Sequence, residues 1–173
     1  MRFTEFDFNP GLLEGIEASG YETATPVQEQ VIPAVMAGKD IIASAQTGTG
    51  KTAAFLLPMI HKLLGSHSDG QVGALIIVPT RELAIQISQH LEGLSYFTNV
   101  SSIAIYGGND GQNFVAEKKA LQMGADIIVC TPGRMIAHIN MGYHNMKGLQ
   151  FLVLDEADRM LDMGFQDDIN RII

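Results

Sequence analysis

Five short runs, mostly apolar and rich in Ile and Val, constrain this chain more than any other feature: residues 40–44 (DIIAS), 74–78 (ALIIV), 102–106 (SIAIY), 126–130 (DIIVC) and 151–154 (FLVL). Each is too short and too uniformly apolar to be one face of an exposed helix, so the pattern predicts five buried strands. Segments with helical spacing separate them, at 53–64, 82–94 and 114–123. Strands that alternate with helices at this interval require crossover connections. The fold class is therefore α/β with a mainly parallel sheet, and ligands are expected beyond the carboxyl ends of the strands.

A chain of 173 residues with 46% apolar residues can bury one sizeable core, so a single domain is expected. No apolar run approaches the length of a membrane span, and the opening MRFTEFDFNP lacks the basic-then-apolar character of a secretion signal. Cys130 is the only cysteine, which excludes an intramolecular disulfide. These features lead us to expect a cytoplasmic protein with no membrane partner. The net charge of -8 argues against a strong nonspecific coat on nucleic acid. That charge is concentrated at the ends: residues 1–30 hold six acids and one base, 155–173 hold six acids and two bases, and the middle holds seven acids and eight bases. A near-neutral middle leaves room for a local phosphate-binding face.

Three helix starts are marked by a capping side chain before proline: Asn9-Pro10, Thr25-Pro26 and Thr131-Pro132; Gly20 and Gly65 mark stops. The stretch 45–52, AQTGTGKT, differs from the phosphate-loop pattern G-x-x-x-x-G-K-[ST] only in having Ala45 where a glycine is usual. It follows the first expected strand and leads into a helix. Gly48 and Gly50 let backbone N–H groups turn inward around phosphate oxygens, Lys51 reaches the β and γ phosphates, and the Thr52 hydroxyl is placed to ligate magnesium. The weaker reading is a turn, a helix cap and a surface lysine.

The run 151–154 ends in Asp155-Glu156-Ala157-Asp158. A strand ending in two carboxylates can present one to magnesium and the next to an attacking water, which assigns Asp155 the first role and Glu156 the second. Alone, the same residues also read as an acidic helix start. Thr25-Pro26-Val27-Gln28 likewise fits the capping box, with Gln28 returning a hydrogen bond to the helix start.

Together, AQTGTGKT and Asp155-Glu156-Ala157-Asp158 resemble the DEAD-box family of ATP-dependent RNA helicases, in which the phosphate loop commonly begins with alanine. The resemblance extends through residues 20–28 (GYETATPVQ), 79–84 (PTRELA), Gly107-Gly108 and 131–134 (TPGR), which together are far more specific than any one of them. It implies a RecA-like P-loop NTPase domain, a mainly parallel sheet with helices on both faces, with a Q-motif segment at about 1–38 and an ATP-binding core at about 39–173. It implies ATP and Mg2+ as cofactors and single-stranded or partly duplex RNA as partner, in an enzyme expected to be a monomer. The family's second RecA-like domain, with its arginine finger, and its Ser-Ala-Thr motif are absent from these 173 residues. That makes the chain an expected fragment, nearly inactive alone. The alternatives are a noncatalytic RNA clamp or scaffold, or a different P-loop NTPase.

The resemblance assigns the catalytic work to Lys51, Asp155 and Glu156, with magnesium on Thr52 and Asp155. ATP falls to Ala45, Gln46, Thr47, Gly48, Thr49, Gly50, Lys51 and Thr52, with Gln28 on the adenine edge and Tyr21 and the upstream aromatic Phe3 near the base. Both aromatics also read as ordinary core filling. The RNA backbone falls to Pro79, Thr80, Arg81, Gly107, Gly108, Thr131, Pro132, Gly133 and Arg134, and Asp158 couples motifs or domains. From the residues alone, Thr80 and Thr131 read equally as caps, and Arg81 and Arg134 as partners of acids. Ala24 departs from the family's commoner proline. The segment after Gly108 runs about two residues long, without a clearly placed glutamine. The histidines at 61, 67, 90, 138 and 144 make no metal-ligand spacing with Cys130, and Met160 with Met163 is expected to pack a helix on the sheet.

Overall fold

The structure, a computed structural model, describes residues 1–66, 70–107, 111–142 and 145–173, with only the backbone at 111 and 112. It divides into two compact units, Met1–Ser66 with His90–Val100, and His67–Gln89 with Ser101–Ile173. The division falls inside helix α4 (Arg81–Leu94).

The first unit is helical: a short turn at Phe3–Phe6, α1 (Pro10–Ala18), α2 (Pro26–Met36), α3 (Lys51–Gly65) and the end of α4. Asn9 accepts a hydrogen bond from the Gly11 N–H (2.9 Å), so the expected cap of α1 is made. Gly20, at φ +79°, follows the helix end. Helix α3 is apolar nearly all round, and Ala53, Ala54, Leu56, Leu57, Met59, Ile60 and Leu63 are buried. Fully burying each large aliphatic contributes about 1.5–3 kcal/mol, so this helix anchors the unit. It packs against α2, and Lys62 Nζ donates to the carbonyls of Val35 and Met36 at the end of α2. Helix α1 approaches the 90–100 segment so closely that a Cβ on Gly15 would strike the Leu94 carbonyl.

The strand expected at 40–44 does not form. These residues have no ladder partner among the described residues, all are exposed, and Ile42 is 103% exposed. An Ile-rich run acquires strand structure from cross-strand pairs and a covered face, and here it has neither.

The second unit holds the other four strands, β1 (Ala74–Ile77), β2 (Ser102–Ile105), β3 (Ile127–Cys130) and β4 (Phe151–Leu154), in one sheet of order β2-β3-β1-β4. All three pairings are parallel, and the last residues align, Ile105 with Cys130, Cys130 with Ile77 and Ile77 with Leu154. Connections of β1 to β2 and β2 to β3 run through α4 and α5 (Gly111–Met123), and β3 reaches β4 through α6 (Pro132–Asn140). The sheet is therefore α/β as the alternation predicts. At its near end the Ser101 N–H and hydroxyl both donate to Asp126 Oδ2, pinning β2 to β3. β1 and β3 are buried throughout. Leu75, Ile77, Ile105, Ile128, Cys130, Met135, Met160 and Ile169 form a core that includes α6, α7 (Ala157–Asp162) and α8 (Gln166–Ile172). Of the two methionines expected on the sheet, Met160 is in that core and Met163 is exposed.

Candidate nucleotide and RNA sites

In the first unit, residues 45–50 run from the uncovered 40–44 segment into α3. Gly48 and Gly50 both take left-handed backbone, φ +85° and +82°, as a loop folding its N–H groups inward requires. Thr49 Oγ1 donates to the Gln46 carbonyl (2.7 Å), closing the loop on itself. Gly50 sits at the N-cap of α3, no side chain caps that helix, and Lys51 and Thr52 are its first residues. A fifteen-residue helix that opens on an uncapped loop of this kind suits an anion. Ala45 is half-buried and is not among the residues with positive φ, so its Cβ meets no left-handed backbone strain.

Gln28 is 1% exposed and ties this loop to the segment before it. The capping box forms: the Thr25 N–H donates to Gln28 Oε1 (2.9 Å), and the Gln28 N–H donates to Thr25 Oγ1 (3.4 Å). The amide's other end is also committed, since Gln28 Nε2 donates to the Gly50 carbonyl (3.1 Å). One side chain thus holds the start of α2 and the start of α3 together. Gly50 has no room for a Cβ because Gln28 Nε2 occupies that place.

Phe3 is 2% exposed and meets Tyr21 edge-on at 6.0 Å and Phe6 at 6.0 Å, so it packs as core. Tyr21 is half-buried, stacked on His90 at 5.9 Å, with its hydroxyl 2.6 Å from His90 Nε2. Burial pushes the Tyr21 phenol above its usual range and the His90 imidazole below its own. Burial therefore favours the neutral form of the ring beside the hydroxyl.

In the second unit, every remaining candidate follows the carboxyl end of a strand. Because those ends are level, the segments form one row in the order Gly107, residues 131–134, residues 79–81, and residues 155–156. Adjacent strands lie about 4.8 Å apart, so the row spans roughly 15 Å. Pro79 is buried and Thr80 caps α4, its Oγ1 accepting from the Leu83 N–H (3.2 Å). Arg81 lies over the Tyr106 ring at 5.3 Å. Gly107 is exposed; Gly108 lies outside the described residues. Thr131 occupies the N-cap of α6 with Pro132 at the first position, but its side chain makes no capping hydrogen bond, contrary to the cap expected there. Its extended backbone already presents the helix start, so the cap position forms without the hydroxyl. Gly133 has open space where a Cβ would stand.

Asp155 is buried at the end of β4. Its N–H donates to the Ile77 carbonyl (3.1 Å), and its Oδ1 accepts from the Glu156 N–H (3.1 Å). Glu156 is one of two non-glycine residues with positive φ among the described residues, at +54°. That conformation costs on the order of 1 kcal/mol and turns the chain so that the second carboxylate leaves the strand direction. Arg159 Nη1 reaches Glu156 Oε2 at 3.3 Å, and Asp158 is exposed.

The pattern of the DEAD/DEAH box helicase family matches residues 25–173. The chain belongs to that family. It is 48% identical to the ATP-dependent RNA helicase CshA of Listeria monocytogenes over 99% of its own length and 32% of that protein's. It is 43% identical to the ATP-dependent RNA helicase DeaD of Mycobacterium tuberculosis over 99% of its own length and 30% of that protein's. A further relative is the probable ATP-dependent RNA helicase ddx27 of Dictyostelium discoideum, 43% identical over 99% of this chain and 22% of the relative. The chain thus spans about a third or less of the curated relatives named here.

Four residues of this DEAD-box chain escaped the motif reading. His90 emerges only through its contact with Tyr21, sixty-nine positions away. Phe114, Glu117 and His138 surround Arg134: Glu117 Oε2 accepts from Arg134 Nε (2.9 Å) and lies 2.6 Å from His138 Nε2, and the Phe114 ring stacks on His138 at 4.2 Å. The signal was there, in that Phe114 and Glu117 share one face of α5, and Arg134 and His138 one face of α6. Which two faces meet is set by the order of β2 and β3. No group of three metal-ligating side chains occurs among the described residues, and none of the described helices is long and apolar enough to cross a membrane.

Proposed function

We propose that this chain is the ATP-binding half of an ATP-dependent RNA helicase, which in the full-length protein couples ATP hydrolysis to local unwinding of RNA duplexes or remodelling of RNA–protein complexes. The level row of strand ends carries this reading. It sets the acidic pair 155–156 beside 79–81, and those beside 131–134 and Gly107, so one edge of one sheet offers carboxylates for hydrolysis next to hydroxyls and N–H groups for a phosphate backbone. The family relationship supports the same assignment.

In this reading the 45–52 loop and the start of α3 receive the phosphates, with Lys51 supplying positive charge to the β and γ groups. Thr52 and Asp155 would hold Mg2+, which when bound neutralises charge on the phosphate oxygens. A buried carboxylate already fixed by a neighbouring N–H suits that ligand role. Glu156 orients water as general base. Gln28 reads the adenine edge, Tyr21 lies near the base, and Asp158 couples motifs. Thr80, Arg81, Gly107, Thr131 and Gly133 line the RNA track. A second RecA-like domain completes the site in a monomeric, cytoplasmic enzyme.

The test is steady-state phosphate release by the full-length protein with and without single-stranded RNA. RNA should raise turnover, and Lys51→Ala should abolish it while weakening ATP affinity in calorimetry. Turnover indifferent to RNA, or equal ATP affinity in the variant, sinks the proposal.

A further inference from the structure

Arg134 stands in the row of candidate RNA contacts, yet its guanidinium is already engaged. Its Nε donates to Glu117 Oε2 (2.9 Å), its Cζ lies 4.9 Å over the Phe114 ring, and its side chain is 15% exposed. Its Nη2 is buried with no hydrogen-bond partner among the described residues, so a phosphate could reach that nitrogen only if the side chain left its place. The same Glu117 oxygen meets His138 Nε2 at 2.6 Å, and the His138 ring is fully buried, stacked on Phe114 with only 9° between the planes. Glu117 itself is 6% exposed at its side chain. Withdrawing Arg134 toward RNA would strip this carboxylate of its paired cation in a buried place, a loss that is strongly destabilising in general.

We infer that Glu117 is a positioning residue for RNA binding, and that Arg134 acts through Glu117 rather than by touching a phosphate. This rests on the proposal that the 131–134 turn meets RNA. Glu117 on α5 grips α6 at two positions one helical turn apart, Arg134 and His138, with Phe114 closing the cluster from the α5 side. Helix α5 follows β2 and α6 follows β3, the two neighbours at that side of the sheet. The cluster therefore sets the pitch of α6 against α5, and with it the place of the Thr131 hydroxyl, which caps nothing, and of Gly133, which faces open space.

Salt dependence separates positioning from contact. Each phosphate neutralised on a single strand adds about 0.7 to the slope of log affinity against log salt. The affinity of the full-length protein for a fluorescent oligouridylate, with ATP and Mg2+ present, is measured across salt for wild type, Glu117→Ala, Glu117→Gln, Arg134→Ala and the Glu117→Ala/Arg134→Ala pair. We expect each alanine variant to bind RNA roughly tenfold more weakly, with the double variant no weaker than either single, because one hydrogen-bonded unit is lost in each. The slope stays at the wild-type value, affinity for a fluorescent ATP analogue is unchanged, and Glu117→Gln, which keeps an acceptor for Arg134 Nε, binds RNA more tightly than Glu117→Ala. Should Glu117→Ala not fold, Glu117→Gln and Arg134→Ala carry the same comparison. A slope reduced by about 0.7 in Arg134→Ala, with RNA affinity retained or raised in the Glu117 variants, overturns the inference and makes the guanidinium a phosphate ligand. Wild-type protein that binds no RNA overturns the functional proposal itself and this inference with it.

Discussion

Gln28 illustrates how much of a site can be read from single residues. The pattern [ST]-x-x-[EQ] announced a cap, and the cap is made; what no local pattern contains is the bond from the same amide to the Gly50 carbonyl, twenty-two residues on. A side chain so committed can read adenine only at the cost of part of that network, which makes the residue's two roles separable. Gln28→Ala should cost roughly 0.5–2 kcal/mol through the lost cap. If the amide also reads the base edge, preference for adenine over guanine nucleotides should fall by about 1–3 kcal/mol. Melting curves report the first and nucleotide competition the second; unchanged base preference would leave Gln28 a structural tie. His90 makes a second residue-scale case, with a pH signature. Its folded pKa lies below the ordinary value of 6.5, so the unfolded chain takes up the proton first as pH falls. The contribution of the buried neutral ring is present above about pH 6.5 and is lost as pH drops through the folded value. Thermal stability should therefore decline more steeply between pH 7 and 5 in wild type than in His90→Asn. Parallel declines would show that this ring is not the one responsible.

At the scale of elements, the strands at 74–78, 102–106, 126–130 and 151–154 were legible within a residue or so, because continuous Ile and Val between polar breaks has few other uses. The run at 40–44 has the same composition and stays unpaired, since pairing belongs to the neighbours a strand finds and not to the run itself. The start of α3 was legible for a different reason: Gly48 and Gly50 were placed where a loop must turn left-handed, and both do. These two glycines also permit a controlled comparison. Gly48→Ala should cost about 1 kcal/mol, for backbone strain alone, as nothing stands near its would-be Cβ. Gly50→Ala meets the same strain and also displaces Gln28, so it should cost more. Pairing Gly50→Ala with Gln28→Ala should be less than additive. Equal losses from the two glycines in chemical denaturation would mean that the Gln28 tie adds nothing to the start of α3.

For the whole molecule, the order of motifs was enough to identify the family, since six patterns in fixed succession are jointly far more specific than their parts. The level register that lines four of them along one sheet edge lies in no motif; it is set by how β1 pairs with β3 and β4 and how β2 pairs with β3. In the proposed reading, this chain supplies a phosphate loop, two carboxylates and one side of an RNA track, while the charge that builds on the transferred phosphoryl group is met by an arginine finger from a second domain. Such a finger contributes roughly 10³–10⁵ in rate in phosphate-loop enzymes, about 4–7 kcal/mol of barrier. With one side of the track and a net charge of -8, RNA should also bind weakly. The 173 residues on their own should therefore bind adenine nucleotides weakly and release phosphate at nearly the uncatalysed rate, whatever RNA is added. Supplying a second domain in trans should restore part of the RNA-stimulated turnover, and restoration should fail with Glu156→Gln, which keeps the shape of the water-orienting group and removes its basicity. RNA-stimulated turnover by the 173 residues alone, near the rate of a two-domain enzyme, would mean that the charge-stabilising group lies within this chain and that the division of labour between the domains is wrong.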